Sequence, residues 1–149
     1  MIQLLLHLLG DFGTQSHWMA ENKTRRSWPC LLHVILYTAP FMILSPSWTA
    51  LGVIGGSHFL IDRFGLARYA VWLKNVVLSP HLFYFDELDR DDDDPVALER
   101  FVQYQRLSWA NCCATGYPAD LPRWLAVGLL IVADNTIHLI INWAALGWL

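Results

Sequence analysis

Three pairs of residues in this chain have the types and spacing to do chemistry: His7 with Asp11, His58 with Asp62, and Asp134 with His138, each pair four residues apart. Residues i and i+4 share one face of a helix. Each pair can therefore offer an imidazole nitrogen and a carboxylate oxygen to one point, as paired histidines on one helix do in zinc enzymes. His33 and Tyr37 repeat the interval, and two stripes extend it, Gln3, His7, Asp11, Gln15 and Asp134, His138, Asn142. The chemistry this suggests is metal binding, with His7, Asp11, His58, Asp62 and Asp134 as ligands and His33 and His138 as ligands or general acid/base groups. Neutral imidazoles and carboxylates suit a divalent metal, Zn²⁺ first, with Mn²⁺ or Fe²⁺ also compatible. The candidates exceed the needs of one closed ion, so either two ions are held or some residues orient the ligands.

Two plainer readings stand beside this one. Polar side chains join helices in membranes by ordinary hydrogen bonds, and a row of His and Asp can carry protons or ions. A channel needs a continuous polar route, yet after Tyr37 and before Ser57 the second and third apolar stretches offer almost none.

The elements that must position these groups are apolar helices. Of 149 residues 55% are hydrophobic and 15% charged, with eight Trp, an unusually apolar balance for a soluble domain. The expectation is an all-α, polytopic membrane helix bundle forming a single membrane-embedded domain over 1–149. Its four spans are read at Ile2 to Phe12, Leu31 to Leu44, Trp48 to Phe64 and Leu121 to Leu149. A span takes roughly 20 helical residues, so the first helix is expected to continue through Thr14 to Asn22. Pro40 and Pro46 should bend and end the second. An ionisable side chain inside a span costs about 2.5–3.5 kcal/mol and asks for a reason.

Positive charge gives the orientation. Lys23, Arg25 and Arg26 lie between spans one and two, and every other Lys and Arg, from Arg63 to Arg123, falls at or between the inner ends of spans three and four. By the excess of Lys and Arg on cytoplasmic segments, both termini are expected outside and the central segment in the cytoplasm. Within residues 66–120, Leu66 to Leu78 reads as an interfacial helix. Asp86 to Pro95 reads as a solvated acidic loop, since it lacks the central Gly and terminal Glu of a calcium-binding EF-hand loop. A helix from about Val96 to Ala110 follows. Met1 to Gly13 lacks a basic start and a cleavage site and is read as mature protein. Cys30, Cys112 and Cys113 lack zinc-ribbon or disulfide spacing and are read as reduced thiols.

Several motifs also carry a resemblance. His7-Leu-Leu-Gly-Asp11-Phe12, Trp18-Met-Ala-Glu-Asn22-Lys23, Leu32-His33-Val34 with Tyr37-Thr38, His58-Phe-Leu-Ile-Asp62 and Asp134-Asn-Thr-Ile-His138-Leu139 resemble a family of small membrane proteins of bacteria and bacteriophages with no established function. The Gly116-Tyr-Pro118 turn is similar to that of phage-borne members, which implies a phage or prophage source and a bacterial (host) inner membrane as the location. A looser likeness, in the use of His7, His33, His58 and Asp62 on spans, is to inner-membrane metal-dependent hydrolases, without a transferable order of residues.

The expectation for function is thus a membrane-embedded metal-dependent hydrolase acting on a lipid-linked or membrane-delivered substrate. Lys23, Arg25, Arg26 and Arg63 would suit an anionic one. Its partners are membrane lipids, with no nucleic acid. The alternative is a non-enzymatic phage membrane protein that binds or blocks a host membrane component.

Overall fold

The computed structural model describes residues 2–78, 83–85, 103–105, 107, 109, 112, 114–118 and 121–149. Ile2–Leu8 forms α1, which widens into a π-helical turn over Leu9–Gly13 before the chain leaves the helix. The first helix therefore does not run on to Asn22 as expected. Residues 14–16 break it, and Ser16 accepts a hydrogen bond from Met19 N at 3.3 Å to start a separate α2, His17–Asn22. An N-cap hydroxyl of this kind satisfies an amide that the helix itself cannot.

Ser27–Thr38 forms α3, continued by a 3₁₀ segment over Ala39–Leu44. Pro40 lacks an amide hydrogen and cannot extend the α-helical ladder, and Ser45, at φ 48°, turns the chain into Pro46. Ser47 then caps α4, Trp48–Phe64, accepting from Ala50 N at 3.0 Å, and Gly65 at φ 59° ends it. That left-handed position is one glycine adopts without strain. Leu66–Leu78 forms α5. Phe83–Phe85 (β1) pairs antiparallel with Gln103–Gln105 (β2), Tyr84 opposite Tyr104. The helix expected over Val96 to Ala110 is corrected at these residues: Gln103–Gln105 is extended and finds its backbone partners in β1. The acidic run Asp86 to Pro95 lies outside the described residues. Arg123–Trp148 forms α6.

The chain divides into two compact units, Met1–Ala67 with Ile131–Leu149, and Arg68–Leu130. In the second, Gly116 sits at φ 79° against α5, where a Cβ would collide with the Arg68 carbonyl. Asn75 Nδ2 donates to Gly116 O at 3.1 Å, and Tyr69 stacks on Trp109 at 4.7 Å.

The first unit buries a set of polar side chains while leaving many large apolar ones exposed. His7, His33, His58 and His138 are buried, with Asp11, Asp62 and Asn142 beside them, while Leu5, Ile35, Ile43, Val132, Ile140 and Trp143 are exposed. In water this arrangement would waste the hydrophobic effect, which favours hiding the aliphatic groups. In hydrocarbon it is the favourable one. Two helices, Ser27–Leu44 and Arg123–Trp148, are long and apolar enough to cross a membrane, and Ile2–Gly13 is a shorter apolar helix. Leu6, Tyr37, Phe41, Ala50, Ile54 and Ala145 form an apolar cluster beside the polar residues.

Candidate metal centre

The polar interior of the first unit is assembled from α1, α3, α4 and α6. The π turn presents Asp11, α3 presents His33 and Tyr37, and α4 presents His58 and Asp62 one turn apart. Gly10 makes this possible: a Cβ there would lie 2.6 Å from Tyr37 Cδ2 and 3.0 Å from Tyr37 O, so only glycine lets the π turn approach α3 so closely. Single π turns of this kind are common at functional sites, because they displace the following side chain from the α-helical register.

Two carboxylate oxygens flank a pair of imidazole nitrogens. His33 Nε2 and His58 Nε2 are 3.0 Å apart. Asp11 Oδ1 is 3.3 Å from each of them. Asp62 Oδ2 is 3.3 Å from His33 Nε2 and 3.2 Å from His58 Nε2. All four side chains are buried, and Asp11 Oδ1 makes no hydrogen bond of good geometry. Ligands held ~2.1 Å from one ion at angles between 90° and 109° are themselves ~3.0–3.4 Å apart. The five separations between the two histidine nitrogens and the carboxylate oxygens beside them fall within that range.

Neither ring is oriented through its second nitrogen. Nδ1 of both His33 and His58 lacks a hydrogen-bond partner. His58 instead lies on Tyr37, with ring centroids 3.7 Å apart and planes 20° apart, and the tilted rings of His138 and His33 lie at 4.0 and 5.1 Å.

A directional chain of hydrogen bonds surrounds the cluster. Asn142 Nδ2 donates to Tyr37 Oη at 2.6 Å. The Tyr37 hydroxyl then donates to His7 Nδ1 at 2.8 Å, and His7 Nε2–H donates to Asn135 Oδ1 at 2.8 Å. Only the tautomer with its proton on Nε2 satisfies both contacts. Gln3 Nε2 adds a bond to Leu139 O at 2.8 Å. These bonds fix the register of α6 against α1 and α3. On the same interior face, His138 Nε2 lies 3.7 Å from Asp62 Oδ1 and 3.7 Å from Asp134 Oδ2.

Of the residues singled out from sequence, Asp11, His33 and His58 form one group of ligand atoms all within 4.8 Å of one another, and His58, Asp62 and His138 form another, with His58 in both. His138 and Asp134 stand beside Asp62. His7 lies 3.5 Å from Asp11 Oδ2, with both ring nitrogens engaged by Tyr37 and Asn135. Gln15, expected to continue the α1 stripe, falls in the break after the π turn. Asn135 and Gly10 carried no signal in the stripe pattern, since Asn135 is one position off it and Gly10 has no side chain. Lys23, read from sequence as a topological charge that would also suit an anionic substrate, donates to Asp62 Oδ2 at 2.9 Å.

No curated protein and no solved structure matches the chain. A family model does match, over residues 1–88, the stretch that supplies Asp11, Lys23, His33, Tyr37, His58 and Asp62. Since that stretch is more than half of the chain, the protein belongs to the family described as protein of unknown function, DUF3307.

Proposed function

We propose that this protein is a membrane-embedded metal-dependent hydrolase, with one divalent cation held by Asp11, His33, His58 and Asp62. The observation that carries this reading is the set of five separations among those four ligand atoms, 3.0 to 3.3 Å, in a buried site. Zinc would be closed by four such ligands, whereas manganese or iron, which accept six, would keep positions for water and substrate. An ion in such a site supplies Lewis acidity and a nucleophile from water at neutral pH.

In the hydrolysis proposed, the water oxygen forms the new bond to a phosphoryl or acyl centre and the ester bond to the leaving oxygen breaks. The water's proton passes to that leaving oxygen, with His138 as carrier unless it is itself a ligand. Lys23, and Arg63 at the same end of the helices, would favour an anionic substrate delivered from the membrane, such as a lipid-linked phosphate. The setting proposed is a bundle of four spans in a bacterial inner membrane, its central segment cytoplasmic, in a chain of bacterial or phage origin. The many large apolar side chains that the first unit leaves exposed while it buries its histidines and carboxylates support it.

A second reading is favoured by the Lys23 to Asp62 ion pair and the His33 to His58 hydrogen bond, both complete without a metal. Under it the cluster only joins helices, in a non-enzymatic phage protein that binds or blocks a host membrane component.

Elemental analysis separates the two. Protein purified in detergent without chelator is compared with a His58→Ala/Asp62→Asn variant that elutes at the same size. Near-stoichiometric zinc, manganese or iron that the variant loses is the expected result, followed by a screen for hydrolysed lipids. Wild-type protein that carries no metal and takes up none on dialysis would leave the second reading.

A further inference from the structure

We infer a second cation position beside the first, formed by His138 Nε2, Asp134 Oδ2 and Asp62 Oδ1, with Asp62 bridging the two. This rests on the proposed function, because Asp62 is shared.

The two oxygens of Asp62 face different partners. Oδ2 faces His33, His58 and Lys23, while Oδ1 faces His138. His138 is 1% exposed, and its Nε2 has no hydrogen-bond partner. A buried ring nitrogen left this way is costly, and here it is flanked by two carboxylate oxygens, each at 3.7 Å. That is beyond the ~2.7–3.2 Å of a hydrogen bond. It matches two ligands of one ion at ~2.1 Å that subtend an angle near 120°.

The placement of His138 is not loose. Asn135 is bonded to His7, Asn142 to Tyr37, and the Leu139 carbonyl to Gln3, so hydrogen bonds bracket His138 on both sides along α6. The helix therefore delivers this nitrogen to this point, and an ion there would complete it.

The two positions differ in openness. Around the first, the protein offers four buried ligands. The second has three, and the Asp134 side chain is 26% exposed, against 3% for Asp62. Three protein ligands and an open side describe a site that admits water. A carboxylate bridge holds two ions within a few ångström, and two-metal hydrolytic sites use ~3.5–4 Å to clamp the attacking and leaving oxygens of one displacement. The class of ligand is a divalent cation, and the class of substrate a phosphate ester whose oxygens span both ions.

The test uses Mn²⁺ alone, titrated into the full-length protein in detergent after chelator treatment, with bound metal counted by elemental analysis and its coupling read by electron paramagnetic resonance. Wild-type protein is expected to bind about two ions per chain with an exchange-coupled spectrum. Asp134→Asn and His138→Leu, checked for unchanged elution and melting, should each bind about one, with an uncoupled spectrum. If wild type binds one ion and neither variant changes it, the second position is wrong while the first stands. Two ions retained in both variants would also overturn this assignment of ligands. If wild type binds none, the first site fails and the second with it.

Discussion

Lys23 Nζ stands 2.9 Å from Asp62 Oδ2, the same oxygen that lies 3.3 Å from His33 Nε2 and 3.2 Å from His58 Nε2. One ammonium thus faces a pocket containing two buried carboxylates. Lysine and a divalent ion answer the same electrostatic need, and a cation placed there is repelled by the other. If the proposed ion binds there, this single side chain sets its affinity.

Lys23→Met should act in opposite directions on stability and on metal binding. Without metal, Asp62 loses its cation in a buried place, which costs several kcal/mol for a fully buried pair and about 1–3 kcal/mol here because the Lys23 side chain is 19% exposed. With metal, the ion replaces the lost charge and the loss shrinks. Removal of the repulsion should also tighten metal binding by about tenfold or more. Thermal unfolding in chelator and in saturating zinc, with a competition titration for affinity, checks both parts. A variant that binds zinc more weakly than wild type would contradict the charge argument.

Gly10→Ala should damage the site although Gly10 contributes no ligand. Its Cβ would meet Tyr37 Cδ2 at 2.6 Å and the Tyr37 backbone at 3.0 and 3.1 Å. A side-chain tip can move, but a helix backbone can do so only by shifting α3 or the π turn. Overpacking of this kind costs about 1–3 kcal/mol, and the shift carries Asp11 away from His33 and His58. Expected are a lower melting temperature and a larger loss of metal affinity than Gly56→Ala, where a Cβ meets nothing within 4 Å. Equal effects of the two substitutions would show that close approach at Gly10 is not what positions Asp11.

The sequence made the faces legible but not their meeting. The four-residue spacing of His58 and Asp62 placed both on one side of α4, and Pro40 with Pro46 marked the end of α3, because these are local properties of a helical ladder. The π turn at Leu9–Gly13 was not legible. It depends on how near Gly10 can come to Tyr37, a contact 27 residues away in sequence. For the same reason, periodicity placed His7 on the face of Asp11 without naming its partners. Its two ring nitrogens are engaged by Tyr37 on α3 and Asn135 on α6, partners that no local pattern names. The break after Gly13 escaped because Thr14 and Ser16 read as polar helix residues, whereas Ser16 caps a new helix.

Tyr37→Phe tests the hydrogen-bond chain apart from the ligand set. The hydroxyl joins Asn142 at 2.6 Å to His7 at 2.8 Å, while the ring stacks on His58 at 3.7 Å. Phenylalanine keeps the stack and removes the chain. Buried polar bonds between membrane helices contribute about 0.6–1.7 kcal/mol each, so the variant should lose about 1–3 kcal/mol while its metal stoichiometry is unchanged. Loss of metal together with stability would place Tyr37 within the coordinating machinery.

The membrane reading predicts which end of the helices faces the cytoplasm. Arg63, at the end of α4, donates to Thr24 O at 2.7 Å and to Ser27 Oγ at 3.2 Å, so the basic corner after α2 and the end of α4 meet, with Lys23 and Asp62 at the same level. The other ends of α3 and α4 meet in the apolar cluster of Phe41, Ala50 and Ile54, joined by Ala145 of α6. Charge on one end and none on the other is the asymmetry that orients a bundle. An enzyme reporter active only outside the cytoplasm should therefore be active when fused after Leu149 or inserted at Ser45 to Ser47, and silent when fused after Arg26. Activity after Arg26 would invert the orientation and turn the metal site toward the outside. Its anionic substrate would then come from the outer leaflet, while the coordination chemistry would stay as it is.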